Sequence, residues 1–126
     1  MDESGQLRIK IQLTRGEDIA MGPGKADLLD AIRHEGSISS AARSLGMSYR
    51  RAWMLVEVMN RCWCAPLVDA TAGGRRGGGA HVTDMGLNVL DLYRQVQRSA
   101  HAAAELDGWP KLRALLCPIV GTGDPA

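Results

Sequence analysis

The sequence contains no phenylalanine, and aromatic residues make up only 4% of the chain. Its core must therefore be built from Leu, Ile, Val, Met and Ala, a composition that favours helices. No apolar run approaches the roughly 20 residues that a membrane-spanning helix needs, and no signal peptide opens the chain. We therefore expect a cytoplasmic protein without a membrane partner.

Cysteine is also scarce, and three cysteines are an odd number. Cys62 and Cys64 lie too close in sequence for an ordinary disulfide. There is no C-x-x-C pair and no two-histidine helical spacing, so we predict free, buried thiols and no metal site among Cys62, Cys64, Cys117, His34, His81 and His101. No Ser/His/Asp or Cys/His arrangement stands in a pocket motif. The sequence therefore predicts neither an enzyme nor a cofactor.

The charges are distributed unevenly along the 126 residues, although the net charge is only +1. Residues 33–76 carry seven arginines against three acidic residues, for a net charge of +4. The flanking segments carry −2 over residues 1–32 and −1 over residues 77–126. A basic middle segment suits a surface that binds nucleic acid. Solvated helix faces often have the same composition, so the charge pattern by itself leaves both interpretations open.

The apolar spacing predicts one strand followed by three helices. Residues 7–13 alternate strictly between apolar and polar side chains, which is typical of a half-buried strand. Ser and Pro residues at helix starts, Gly residues at the ends of the first two helices and Pro66 after the third then delimit the helices. The predicted helices run from about Pro23 to Gly36, from Ser37 to Gly46 and from Ser48 to about Arg61. Four methionines are interpreted as core residues, namely Met47, Met54, Met59 and Met85.

The second half of the chain predicts a hairpin and a long helix. Residues 67–71 and 80–83 form two short strands around the basic, glycine-rich segment AGGRRGGG at 72–79. Apolar residues then recur at threes and fours over a helix of about 84–107, roughly 35 Å long. A small domain cannot cover so long an apolar stripe, so we expect part of it to pack on a second copy. Residues 111–116 predict a short helical turn.

This order of elements is that of a winged helix-turn-helix. We predict a mainly α (α+β) fold with an N-terminal strand, a two-stranded wing and a long C-terminal dimerisation helix. Residues 1–108 would form the DNA-binding domain, and residues 109–126 a short C-terminal extension. The partner predicted for this fold is double-stranded DNA.

The candidate DNA-binding residues lie in the second predicted helix, at the start of the third and at the tip of the wing. Arginine reads guanine bidentately and also binds phosphate, and the first turn of the third helix carries two arginines. The alternative for this pair is a solvated helix end, and the alternative for the wing arginines is a role in solubility. Trp53 is expected to be partly buried against the wing. The candidates are Ser37, Ser39, Arg43, Ser48, Tyr49, Arg50, Arg51, Arg75 and Arg76.

Two segments resemble the N-terminal DNA-binding domain of ModE, the molybdate-responsive regulator of bacteria. They read EGSISSAARSLGMSYRRAWMLVEVMN and ATAGGRRGGGAHVTDMGLNVLDLYRQVQ. The specific features are SYRRAW at the third helix and the GGRRGGG tip before a T-x-x-G helix start at Thr83–Gly86. A more distant likeness is to LysR-type regulators. The resemblance implies a homodimer joined through its first and last helices, and control of genes for molybdate uptake or use.

Nothing in the sequence resembles the molybdate-binding domains of that family, so we expect DNA binding without molybdate sensing in this chain. The function predicted is a transcriptional regulator that binds a palindromic operator as a homodimer. One alternative is a sensor or carrier of an oxyanion such as molybdate at the dimer interface. The other is a winged-helix module that binds a different protein. The sequence identifies neither the operator nor a small-molecule effector.

Overall fold

A computed structural model describes residues 5–71, 79–106 and 108–118. Its element order is that of the predicted winged helix-turn-helix, which confirms the fold class. Residues 10–95 form one compact unit, and residues 1–9 with 96–126 form another. The elements are β1 (Leu13–Arg15), β2 (Asp18–Met21), α1 (Pro23–Glu35), α2 (Ile38–Leu45), α3 (Tyr49–Cys62), β3 (Val68–Ala70), β4 (Ala80–Val82), α4 (Asp84–Leu106) and α5 (Trp109–Arg113).

The predicted helix starts are confirmed because each depends on a local signal. Pro23 occupies the first turn of α1, where its missing N–H costs little. The Ser37 hydroxyl accepts a hydrogen bond from the Ser40 N–H at 3.1 Å and caps α2. The Ser48 hydroxyl accepts from the Arg51 N–H at 3.1 Å and caps α3. Such caps each contribute about 1 kcal/mol.

A tight turn joins α2 to α3. Gly46 adopts φ +70°, a left-handed conformation that costs glycine little. The Met47 N–H then donates to the Ala42 carbonyl at 3.0 Å, which satisfies an end carbonyl of α2. Ala41 and Ala52 are fully buried, and such small side chains allow α2 and α3 to approach closely. The turn therefore fixes how α3 projects from the unit.

The core of the 10–95 unit is aliphatic, as the shortage of aromatic residues requires. Burying one large aliphatic side chain contributes about 1.5–3 kcal/mol. Helices α1 and α3 and the start of the wing supply most of the large side chains. Those that are completely buried are Met21, Leu28, Leu29, Ile32, Met59 and Leu67, with Val56 and Val68 at 2% exposure.

The N-terminal strand differs from the prediction in its position. Residues 5–12 adopt no regular secondary structure, and strand β1 begins only at Leu13. It pairs antiparallel with β2, which was not predicted, across a turn where Gly16 has φ +60°. The alternation at residues 7–13 marks two faces, but a strand also needs a partner backbone. In this hairpin β2 supplies one only for Leu13 to Arg15.

The wing strands pair antiparallel, with Val68 opposite Val82 and Ala70 opposite Ala80. Their base is joined to α3 through Asn60, whose side-chain oxygen accepts from the Leu67 and Val68 N–H groups at 2.9 and 3.0 Å. The Asn60 amide donates to the Val68 carbonyl at 3.0 Å. Three of the four hydrogen-bonding positions of this side chain are therefore used toward the wing.

The remaining unit contains the end of α4 and the short helix α5. Helix α5 begins at Trp109, slightly before the predicted turn at 111–116. Cys117 is exposed there, and Cys64 is exposed after the end of α3. The prediction of buried thiols is therefore wrong for these two cysteines, which lie beyond the ends of α3 and α5. Cys62, in the last turn of α3, is half-buried.

Candidate nucleic-acid interface

The first turn of α3 presents a polar, basic surface. Ser48 caps the helix, and the side chains of Tyr49, Arg50 and Arg51 are exposed after it. Tyr49 is 48% exposed, and its ring meets that of Trp53 edge to face with centroids 6.1 Å apart. The positive end of the helix dipole adds to the charge of the two arginines. This turn therefore has the charge and the donors that an anionic ligand needs.

The start of α2 offers a second polar surface. Ser37 is used as the N-cap, and Ser39 is exposed 3.4 Å from it, hydroxyl to hydroxyl. Arg43 is exposed in the last turn and borders a shallow depression of about 240 Å³ with Glu35, Ser40 and Ser44. Within residues 5–71, 79–106 and 108–118, no carboxylate lies within ion-pair distance of Arg43, Arg50 or Arg51. Arg75 and Arg76 lie outside the described residues.

Lys25, in the first turn of α1, is a basic residue that sequence reasoning missed. Burial is the largest cause that lowers the pKa of Lys25, and the charge of Arg51 acts in the same direction. Lys25 therefore adds a positive charge to the side of the unit on which the charge of Arg51 is felt. Its position directly after Pro23 and Gly24 is the sequence signal, because it places Lys25 in the first turn of a helix, where one side commonly faces solvent.

A groove of about 740 Å³ is lined by residues of α3, of the wing and of the start of α4. Trp53 lines it together with Val68, Asp69 and Met85. The Trp53 indole N–H is buried and has no hydrogen-bond partner in the part of the chain that the structure describes. Trp53 is thus partly buried beside the wing, as the sequence predicted.

The far end of α3 is tied to the β1–β2 hairpin. Arg61 donates to both carboxylate oxygens of Asp18, from Nε at 3.2 Å and from Nη2 at 3.1 Å. These hydrogen bonds are the main cause that lowers the pKa of Asp18 and raises that of Arg61. Arg61 is therefore already paired, whereas Arg50 and Arg51 in the first turn of α3 have no ion pair with any described residue.

Met54 does not lie in the core. Its side chain is 52% exposed, whereas Met59 is completely buried and Met47 and Met85 are half-buried. The reason is the helical phase. At about 100° per residue, Met54 is about 140° away from Met59 around the axis of α3. The core prediction is therefore wrong for Met54.

The structure brings Ser48, Tyr49, Arg50 and Arg51 together on one turn. Ser37, Ser39 and Arg43 lie on the preceding helix. Among the described residues, no group of His, Cys, Asp and Glu side chains is arranged to hold a metal ion. In the same residues, no helix combines the length and the apolar character that crossing a membrane demands.

A capped, basic third helix after a tight turn, followed by a two-stranded wing, defines a winged helix-turn-helix. Comparison with known proteins supports this class. The chain is 35% identical over 117 residues to the transcriptional regulator ModE of Yersinia pestis, covering 90% of this chain and 44% of that protein. It is 33% identical over 117 residues to the transcriptional dual regulator ModE of Escherichia coli K12, covering 90% and 45%. The resemblance to ModE-type regulators is therefore confirmed.

Other relatives match over shorter segments. The molybdenum-pterin-binding protein MopB of Rhodobacter capsulatus is 44% identical over 77 residues, covering 61% of this chain and 28% of that protein. The chain thus spans less than half of each of these curated relatives. A full-length LTTR, LysG of Corynebacterium glutamicum with bound effector Arg, aligns with a TM-score of 0.49 at 27% identity, covering 70% of this chain and 29% of that one. No protein-family model matches the chain.

Proposed function

We propose that this chain is a sequence-specific, double-stranded DNA-binding transcriptional regulator of the ModE type. The observation that carries the proposal is the exposed pair Arg50 and Arg51 at the capped start of α3, which no carboxylate of the described residues pairs with. In this fold that turn enters the major groove, where arginine binds the O6 and N7 atoms of guanine. The chain would act by binding, with no catalytic step.

The other candidate residues would fix the position of α3 on the duplex. Ser37, Ser39 and Arg43 on α2 would contact phosphates beside the groove, since hydroxyls, arginines and helix N-termini all bind phosphate. Lys25, whose pKa the charge of Arg51 helps to lower, would add a further phosphate contact. Arg75 and Arg76 are proposed, from the sequence alone, to contact the backbone from the wing.

A homodimer would place two copies of α3 on one operator. Half-sites about one helical turn apart, about 34 Å, suit two recognition helices in successive major grooves. The operator would then be a palindrome, and it would control genes for molybdenum uptake or use. The names of the relatives support this last point, because they are molybdenum transport, molybdenum-pterin-binding and ModE proteins.

The test is replacement of both arginines, Arg50→Ala with Arg51→Ala. We expect the ratio of specific to non-specific affinity to fall about 10- to 100-fold, because one bidentate base contact contributes about 1–3 kcal/mol of discrimination. Fluorescence anisotropy on an operator selected from genomic DNA, against a scrambled duplex, measures the ratio.

The matched control is Arg8→Ala with Arg33→Ala, which removes the same charge from exposed positions outside α3. It should lower affinity for both duplexes alike and keep their ratio. Retained selectivity in the Arg50/Arg51 variant would show that α3 is not the reading helix.

The names of the molybdenum-binding relatives also favour the alternative of an oxyanion sensor. Calorimetric titration with molybdate, tungstate and sulfate tests it. Micromolar binding of molybdate would support the sensor. Absence of a binding heat would exclude the sensor and leave DNA binding as the proposed function.

A further inference from the structure

The centre of the exposed face of α3 carries an apolar side chain that neither the core nor the ion pairs explain. Arg50, Met54 and Glu57 are all exposed and follow one another at i, i+4 and i+7. They span about 60° of the helix circumference. The buried residues of the helix, Ala52 and Met59 among them, lie on the opposite side. Met54 is therefore at the middle of the surface that α3 presents.

The chemistry along this face changes from residue to residue. Arg50 is a hydrogen-bond donor, Met54 is apolar, and Glu57 is an acceptor. A surface that met only phosphates would gain from positive charge throughout and would be opposed by the carboxylate of Glu57. Base edges in the major groove, in contrast, offer acceptors on guanine, an apolar methyl group on thymine and an amino donor on cytosine.

The spacing along the helix also suits base edges. From Arg50 to Glu57 the axis rises about 10 Å, which equals about three base steps. Met54 lies about 6 Å from Arg50 along the axis, or about two base steps. Each of the three side chains would thus meet a different base pair.

We propose that Met54 contacts the 5-methyl group of a thymine and makes the protein prefer thymine at one position of each half-site, within about two base pairs of the position bound by Arg50. This inference rests on the proposed function, because it names the base chemistry that α3 recognises. Met54 would then be a specificity-determining residue. Its exposure of 52% leaves the side chain free to contact a ligand.

The experiment first selects operators from random DNA with the wild-type chain. Each thymine of the selected half-site is then replaced by deoxyuridine, which removes only the methyl group. We expect one position where this replacement raises Kd about fourfold, the equivalent of about 0.8 kcal/mol for one buried methyl. The other thymines should tolerate the change.

The variant Met54→Ala should bind the thymine and deoxyuridine duplexes equally at that position, whereas Met54→Leu should keep part of the preference. Since Met54 is exposed, both variants should retain the wild-type melting temperature. The matched control is Leu13→Ala on β1, which removes an apolar side chain of nearly equal exposure, 49%. It should keep the full fourfold difference.

The outcomes separate the two proposals. A recurrent motif with no thymine sensitive to deoxyuridine would overturn the role of Met54 and leave the DNA-binding function standing. The same holds if Met54→Ala keeps the discrimination. A selection that returns no motif would overturn the proposed function and the thymine contact together.

Discussion

At the scale of single residues, Gly86 explains why the T-x-x-G segment begins α4. The Thr83 hydroxyl donates to the Pro66 carbonyl at 2.6 Å and accepts from the Gly86 N–H at 3.0 Å. A Cβ atom on Gly86 would overlap the Leu67 carbonyl oxygen and would meet Cγ1 of Val82 at 2.6 Å. The first turn of α4 can therefore lie against the wing only because residue 86 has no side chain.

Replacement of Gly86 by alanine should destabilise the fold. The Leu67 oxygen belongs to the backbone and cannot rotate away, so we expect Gly86→Ala to lower the free energy of unfolding by about 1–3 kcal/mol. Urea denaturation followed by circular dichroism measures the change. Gly24→Ala is the control, because nothing lies within 4 Å of its Cβ position. Equal stability of the two variants would contradict the close approach at Gly86.

Residue-level features were predictable where the signal is local. Ser37 and Ser48 cap their helices as expected, because a cap depends only on residues within one turn. Met54 was assigned to the core by its residue type. The helical phase set by Ala52, Val56 and Met59 places it on the exposed side, so the phase was the signal to follow.

At the scale of elements, α3 is connected at its C-terminal end to two neighbours. Asn60 joins it to β3, and Arg61 joins it to β2 through Asp18. The first turn of α3 carries no such ion pair in the described parts of the chain. Polar side chains thus join the C-terminal end of α3 to its neighbours, whereas Arg50 and Arg51 of its first turn stay exposed.

The Asp18–Arg61 pair should make stability depend on pH in the acidic range. The hydrogen bonds from Arg61 hold the pKa of Asp18 below the ordinary value of 3.8. The contribution is therefore complete above the unfolded pKa and is lost as the pH falls through the lower folded pKa. We expect the stability difference between wild type and Asp18→Asn to shrink from pH about 5 to about 2.

Chemical denaturation of both proteins across that range measures the difference. A difference that stays constant with pH would show that the Asp18 carboxylate gains nothing from Arg61 in the folded state. The change should be modest, since both side chains are partly exposed to solvent.

Element positions were predictable for helices but not for the first hairpin. The apolar spacing of α1 to α4 is set within each helix, so the sequence locates them closely. A strand is defined by its partner, and no signal in the sequence marked Asp18–Met21 as the partner of β1. The alternation at residues 7–13 therefore predicts a strand N-terminal to the one observed, which begins at Leu13.

At the scale of the whole molecule, α4 carries an apolar stripe that the described parts of the chain leave exposed. Leu92 is 50% exposed and Val96 52%, and Ala103 is exposed farther along the same side. These residues lie within about 40° around the helix axis. Val89 and Tyr93, on the adjacent side of the helix, are buried. A second copy of the chain is the partner that we propose for the exposed stripe.

Charges on this stripe should separate the copies. We expect Leu92→Glu with Val96→Glu to convert a dimer into a monomer and to weaken binding to a two-half-site operator, because burying unpaired carboxylates is unfavourable. Light scattering at micromolar concentration measures the mass, and Leu13→Glu serves as a control of similar exposure. A double variant that remains dimeric would place the contact elsewhere.

The base of the wing has a consequence for how such proteins diversify. The Thr71 N–H donates to the Gly79 carbonyl at 2.9 Å, and the Ala80 N–H donates to the carbonyl of Gly36 at the end of α1 at 2.9 Å. The two ends of the intervening segment are thus held together independently of its sequence. We therefore expect exchange or lengthening of residues 72–78 to leave α3, the proposed recognition helix, in place. Under the proposed function, contacts to the DNA backbone would then change by replacement of residues 72–78. The preference for particular bases would change separately, by point substitutions in α3.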